Sequence, residues 1–156
     1  MDGSVQSYRN RLLELLDPKD LDRLRPHLKP TIFDYRQSLY EANSPIPSVY
    51  FPIDGVASLV NTMANGSAAE VGTIVNEGIV GLPVIFGDRY APTSAYIQVP
   101  GSGLRLQADV LSSELIAAAQ CVGSCFITRM LFLIKSRNQP HAITSIPSSS
   151  DVAAGY

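Results

Sequence analysis

The chain has 156 residues, 46% of them hydrophobic and 17% charged, and its formal net charge is −2. This length favours a single domain with its own core, and the composition excludes wholesale disorder. The small net charge disfavours strong nucleic-acid binding by the chain as it stands, because neutralising phosphates requires a surplus of Lys and Arg. Two cysteines without a signal-peptide pattern indicate a reducing cytoplasm, and the longest apolar stretch is too short to span a membrane.

The first 30 residues are predicted to form a helical lead-in. Leucines cluster within residues 10–16, which indicates a helix with one broad apolar face. Asp17 followed by Pro18 is typical of a second helix start, because aspartate caps a helix and proline suits its first position. Pro26 is expected to end that second helix.

Residues 31–108 are predicted to form an antiparallel β-roll of the jelly-roll type. Asp54-Gly55 and Asn65-Gly66 are strong turn signals, and such signals recur with the spacing of an antiparallel sandwich or barrel. Between the turns lie β-rich runs at residues 48–53, 56–60, 71–75, 94–99 and 104–107. A helical pattern then covers residues 109–136, and residues 137–156 have the composition of a disordered tail. The predicted fold class is therefore mainly β with flanking helices.

The sequence does not favour catalysis. The only histidines, His27 and His141, lie near opposite ends of the chain, whereas a metal-dependent barrel enzyme needs several histidines that converge. No histidine in the β region could activate a serine or cysteine. Cys121 and Cys125 have no further ligands beside them and are interpreted as inert thiols. We therefore expect neither an enzyme nor a metal site.

Two glycines three residues apart, Gly78 and Gly81, interrupt the strand pattern. They lie in the run Gly78-Ile79-Val80-Gly81-Leu82. Glycines in such a turn permit a left-handed backbone, and successive N–H groups there can form an anion-binding nest. An ordinary corner of a barrel would also explain the pattern, so the residues alone leave both readings open.

From about residue 12 to residue 111 the chain resembles the effector domain of the Crp/Fnr family of bacterial transcription regulators. The resemblance is a dispersed pattern and comprises Val49-Tyr50-Phe51-Pro52, Gly55-Val56-Ala57-Ser58-Leu59, Glu70-Val71-Gly72-Thr73, Gly78-Ile79-Val80-Gly81-Leu82-Pro83, Gln98-Val99-Pro100-Gly101 and Leu104-Arg105. It implies a β-roll of the cyclic-nucleotide-binding type, followed in intact members by a long dimerising helix and a DNA-binding domain. The expected function is that of an effector-sensing and dimerising domain.

Two departures from the family pattern disfavour cAMP as the ligand. Members that bind cAMP have Glu after the first glycine and Arg before the Ser-Ala pair, whereas this chain has Ile79 and Thr93. Arg89 could substitute for the missing arginine, or it could lie in a solvated turn. The resemblance thus implies an unknown small-molecule effector, with a cyclic nucleotide still open. The candidate ligand-binding residues are Gly78, Ile79, Val80, Gly81, Leu82, Arg89, Thr93 and Ser94.

The resemblance stops after about residue 119, and the rest of the chain contains no basic recognition helix. A shifted reading of the codons for residues 141–156 permits a Ser-Ile-Glu-Gln-Arg run that is similar to the segment preceding the family's DNA-binding domain. We therefore expect a frameshifted tail and a chain truncated before its DNA-binding domain, so that contact with DNA and homodimerisation belong to the intact family member. The alternative is a stand-alone ligand-binding or dimerisation module.

Overall fold

The computed structural model of the chain describes residues 9–120. Its strands are β1 (Lys29–Phe33), β2 (Ser38–Tyr40), β3 (Ser48–Pro52), β4 (Val56–Thr62), β5 (Ala68–Ile74), β6 (Ser94–Val99) and β7 (Gly101–Gln107). Its α-helices are α1 (Arg11–Glu14), α2 (Pro18–Leu24), α3 (Leu82–Ile85) and α4 (Ala108–Gln120), and a 3-10 turn covers Arg25–His27. The prediction of a mainly β fold with flanking helices is confirmed.

The strands form two antiparallel sheets. One sheet has the order β1-β7-β3 and the other has the order β2-β6-β4-β5. The Asn65-Gly66 signal lies in the turn of the β4–β5 hairpin, where the Gly66 N–H donates to the Met63 carbonyl at 2.9 Å. Asp54-Gly55 instead joins β3 of the first sheet to β4 of the second, so this turn carries the chain from one layer to the other.

The core lies between the two sheets and extends to the helices. All five residues of β3 are buried, and Val49 and Phe51 have no exposed surface. Leucines from α1 and α2 and the first two turns of α4 complete the same hydrophobic cluster. Removal of this apolar surface from water is the main stabilising contribution to such a fold.

The N-terminal helices begin where the sequence predicts. The Asp17 carboxylate accepts a hydrogen bond from the Lys19 N–H at 3.1 Å, and Pro18 occupies the first position of α2. The first helix is shorter than residues 10–16, since α1 ends at Glu14 and Leu15 is 41% exposed. Asn10 caps α1 with a side chain that has no exposed surface.

Three elements were not recognised in the sequence. β1 contains Pro30, which is tolerated there because β1 is an edge strand, and β2 has only three residues. α3 has four residues, too few for a helical period to be detected. The expectations for Cys121, Cys125, His141, the continuation of the last helix and the tail all concern segments outside the described residues.

Candidate ligand-binding site at the crossover between the sheets

The segment between β5 and β6, residues 75–93, is called here the crossover segment. It leaves the four-stranded sheet after β5, touches β3 of the other sheet, and then returns to β6. The contact with β3 consists of two backbone hydrogen bonds: the Val80 N–H donates to the Tyr50 carbonyl at 2.8 Å, and the Tyr50 N–H donates to the Val80 carbonyl at 2.9 Å. The glycine-rich run from the sequence thus connects the two layers of the fold.

Gly81 turns the chain into α3. Its φ is 102°, a left-handed conformation that side chains disfavour, and it stands directly before α3. A Cβ atom at this position would lie 2.8 Å from Val49 Cγ1. Both the conformation and the close approach therefore require glycine.

Asn10 fastens the beginning of the crossover segment. The Asn10 Nδ2 donates to the Gly78 carbonyl at 3.0 Å and to the Pro52 carbonyl at 2.8 Å. The neighbouring Arg11 forms an ion pair with Glu77 at 2.7 Å. The N-terminal helix, the end of β3 and the glycine turn are thereby held together.

The loop between β2 and β3 fastens the other end. The Ile46 N–H donates to the Arg89 carbonyl at 2.8 Å, and the Asn43 N–H donates to the Ala91 carbonyl at 2.7 Å. The Ala91 N–H donates in turn to the Ser44 carbonyl at 3.1 Å. Residues 89–91 therefore have a defined backbone position.

The predicted site residues lie along this segment and at its junction with β6, where Ser94 begins the strand, but in different environments. Ile79 and Val80 are buried in the core, with 4% and 0% of their surface exposed, and Gly81 is also buried. Gly78, Leu82, Thr93 and Ser94 are half-buried. An apolar residue at position 79 packs inward and does not offer an acceptor to a ligand.

Arg89 lies at the surface and contacts α4. Its guanidinium approaches the Asp109 carboxylate at 3.4 Å, and the two side chains are 74% and 84% exposed. Because Asp109 lies in the first turn of α4, the pair links the crossover segment to that helix. α3 also packs against α4, which makes a second link.

Two residues at the end of β2 contact the candidate site and were not anticipated. Tyr40 is buried, and its phenol lies close to the backbone of Gly81. Glu41 is exposed and accepts a hydrogen bond from the Ser94 hydroxyl at 3.3 Å. These contacts span 41 and 53 positions of sequence, so no local pattern could have revealed them.

Burial raises the pKa of the Tyr40 phenol to about 12, an effect that the neighbouring Gly81 backbone partly offsets by favouring the phenolate. Burial also raises the pKa of Tyr50, against the opposing charge of Arg105. Between about pH 10 and pH 12 the unfolded chain loses the Tyr40 phenol proton while the folded protein keeps it. The Tyr40 contribution to the free energy of unfolding is therefore constant below this window and falls as the pH rises through it.

Tyr40→Phe should remove the Tyr40 share of this alkaline loss, about 2 kcal/mol between pH 10 and pH 12. Urea unfolding at the two pH values measures the loss, and Tyr35→Phe at an exposed position is the control. If Tyr40→Phe loses as much stability between the two pH values as the wild type does, the pKa of the Tyr40 phenol is not raised in the folded protein, and the prediction is wrong.

Within residues 9–120 no group of His, Cys, Asp and Glu is arranged to hold a metal ion. Over the same residues, no helix combines the length and the apolar character needed to cross a membrane. The described polar groups at the crossover segment are hydroxyls, carboxylates, the Asn76 side-chain amide, one guanidinium and backbone amides. They can bind a ligand through hydrogen bonds and charge.

No protein-family model and no curated protein matches the chain. Solved structures do match it. One is the regulatory subunit of a cAMP-independent protein kinase A from Trypanosoma brucei, in a triply substituted form bound to cAMP. It superimposes with a TM-score of 0.65 at 12% sequence identity, and the match covers 87% of this chain and 46% of that chain. A putative cyclic nucleotide binding protein from Ruegeria pomeroyi superimposes with a TM-score of 0.66 at 20% sequence identity, and the match covers 88% of this chain and 58% of that chain.

The sensor domain of the transcriptional regulator DNR from Pseudomonas aeruginosa gives a TM-score of 0.62 at 16% identity, covering 89% of both chains. The chain therefore spans about half of the kinase subunit but nearly all of the isolated sensor domain. These likenesses establish the fold, which is that of cyclic-nucleotide-binding domains. Sensor domains of bacterial transcription regulators share it, so the predicted resemblance to the Crp/Fnr effector domain is confirmed for the fold.

Proposed function

We propose that the chain is the effector-sensing domain of a bacterial transcription regulator of the Crp/Fnr type, with a regulatory and not a catalytic role. The observation that supports this most is the crossover segment, which is anchored at both ends and linked to α4 by the Arg89–Asp109 pair and by α3. A ligand that shifts this segment would change how α4 is held. In this proposal α4 is the dimerising helix, DNA is contacted through a separate C-terminal domain, and the protein acts in the cytoplasm.

The proposed ligand site follows the residues that the sequence singled out. It consists of the glycine turn with Ile79, Val80 and Leu82 at its beginning, and of Arg89, Thr93 and Ser94 at its end. The effector is a small molecule other than cAMP, because Ile79 and Thr93 stand where cAMP binding uses a carboxylate and a guanidinium. Each lost charge-assisted contact weakens binding by about 1.5–3 kcal/mol, and two together by roughly a hundredfold to ten-thousandfold.

The kinase subunit from Trypanosoma brucei supports this view of cAMP. Its protein kinase A is cAMP-independent, and the form of the subunit bound to cAMP carries three substitutions, one of which replaces a threonine by arginine. Thr93 of this chain is a threonine at the position where the cAMP-binding pattern has arginine.

A thermal-shift screen of the wild-type chain tests the proposal, with cAMP, cGMP and a library of bacterial metabolites as the probes. We expect a metabolite hit and no shift with cAMP, since a ligand at about 100 times its Kd adds about 2.7 kcal/mol of stability. The hit should lose its effect in Gly81→Ala and keep it in Gly87→Ala, which changes a glycine with open space around it. A hit that stabilises the Gly81→Ala chain as strongly as the wild type would contradict the proposed site.

A further inference from the structure

Residues that follow β2 occupy the hydrogen-bonding groups of Ser94, where the crossover segment joins β6. The Glu41 carboxylate accepts from the Ser94 hydroxyl at 3.3 Å and from the Ser38 hydroxyl at 2.6 Å. The Ala42 N–H donates to the Ser94 Oγ at 2.9 Å.

These bonds decide what Ser94 can offer to a ligand. A hydroxyl has one proton to donate, and here that proton is directed at the Glu41 carboxylate. The backbone amide of Ala42 already donates to the same oxygen. An anion would need the hydroxyl proton, so it would have to displace Glu41 first.

The charged group nearest to Ser94 is the Glu41 carboxylate. Within residues 9–120 Glu41 forms no ion pair. The Arg89 guanidinium pairs with Asp109, and the Arg36 guanidinium lies 5.4 Å from the Tyr35 ring centroid. A ligand phosphate beside Ser94 would lie within a few ångströms of the Glu41 carboxylate. Two like charges about 4 Å apart weaken binding by roughly fivefold in water and up to about a thousandfold at an effective dielectric constant of 20.

We propose that Glu41 is a specificity-determining residue that excludes anionic ligands from the Ser94 end of the site. The effector is then an uncharged or cationic molecule that donates hydrogen bonds to the Glu41 carboxylate. This inference rests on the proposed function, because it concerns the same ligand site, but it adds a selection by charge that neither Ile79 nor Thr93 implies.

The test measures cAMP binding by calorimetry in the wild-type chain, Glu41→Gln, Thr93→Arg and the double variant. Glutamine keeps the size and an oxygen acceptor for the Ser94 hydroxyl while removing the charge. An arginine introduced at position 93 alone should pair with the Glu41 carboxylate and gain little. We expect the double variant to bind cAMP at least about tenfold more tightly than Thr93→Arg, with a gain that shrinks at high salt.

The matched control combines Thr93→Arg with Glu14→Gln, which removes the same charge from an exposed position on α1. This control should bind cAMP like Thr93→Arg alone. Equal cAMP affinity in Thr93→Arg and in the double variant would overturn the inference. If arginine at position 93 prevents folding, the wild type and Glu41→Gln give the same comparison, and equal affinity there also overturns it.

The result is independent of the screen that tests the proposed function. If removing the Glu41 charge does not change cAMP affinity, a metabolite hit that depends on Gly81 still supports the proposed function. Failure of the screen leaves the cAMP comparison readable, because cAMP and not the natural effector is its probe.

Discussion

Replacing Asn10 by alanine is expected to lower the free energy of unfolding by about 3–4 kcal/mol. The Asn10 side chain is fully buried, and its Nδ2 donates to the Pro52 and Gly78 carbonyls. Its Oδ1 accepts from the Leu12 and Leu13 N–H groups at 3.0 and 3.3 Å. Alanine would remove the cap of α1 and leave the buried Pro52 carbonyl and the partly buried Gly78 carbonyl without this donor.

Urea unfolding measures this loss, and Asp17→Ala provides the comparison. Asp17 caps α2 at an exposed position, so its cap should contribute only about 1 kcal/mol. If Asn10→Ala loses no more stability than Asp17→Ala, Asn10 acts as an ordinary cap and does not anchor the crossover segment.

Gly81→Ala is expected to destabilise the fold by about 3 kcal/mol and to displace the crossover segment. Part of the loss, about 1–2 kcal/mol, comes from a left-handed backbone at a residue with a Cβ atom. The rest comes from the contact with Val49, which lies on a strand without free space around it. Gly87→Ala is the matched control, since Gly87 has φ 85° and no heavy atom within 4 Å of the added Cβ position.

The difference between the two glycine variants isolates the contact with β3. We expect Gly87→Ala to lose only the conformational part, and a second substitution, Val49→Ala, to relieve the crowding in Gly81→Ala. Equal losses in Gly81→Ala and Gly87→Ala would show that the Gly81 turn can move away from β3 without cost.

The strands with alternating or continuously apolar patterns could be predicted because their periodicity reflects burial. β3 and β6 were predicted to within one residue of their observed ends, and the Asn65-Gly66 signal correctly indicated the β4–β5 hairpin. β1 could not be recognised, since Ile32 is 75% exposed on an edge strand and gives no core pattern. The passage between sheets at Asp54-Gly55 also lay beyond local sequence signals, because a turn motif does not say which sheet the next strand joins.

The candidate site could be located from its glycines but not described. Gly78 and Gly81 indicated a special turn, and the family pattern indicated which departures matter. The roles of Asn10, Tyr40 and Glu41 depend on contacts between distant segments, which no spacing in the sequence reveals. Arg89 was expected either in the ligand site or in a solvated turn, and its observed partner on α4 belongs to a different part of the fold.

Residue-resolved NMR of the isotope-labelled wild-type chain during a cAMP titration tests the central claim most directly. The claim is that the Glu41 carboxylate accepts the hydrogen bond of the Ser94 hydroxyl, so that a cyclic nucleotide phosphate finds no free hydroxyl donor at that end of the crossover segment. The amide signals of Gly81, Ala42 and Ser94 should then stay unchanged up to about 1 mM cAMP, a concentration at which a ligand with micromolar Kd would saturate its site. Saturable shifts of these three signals at micromolar cAMP would contradict the account.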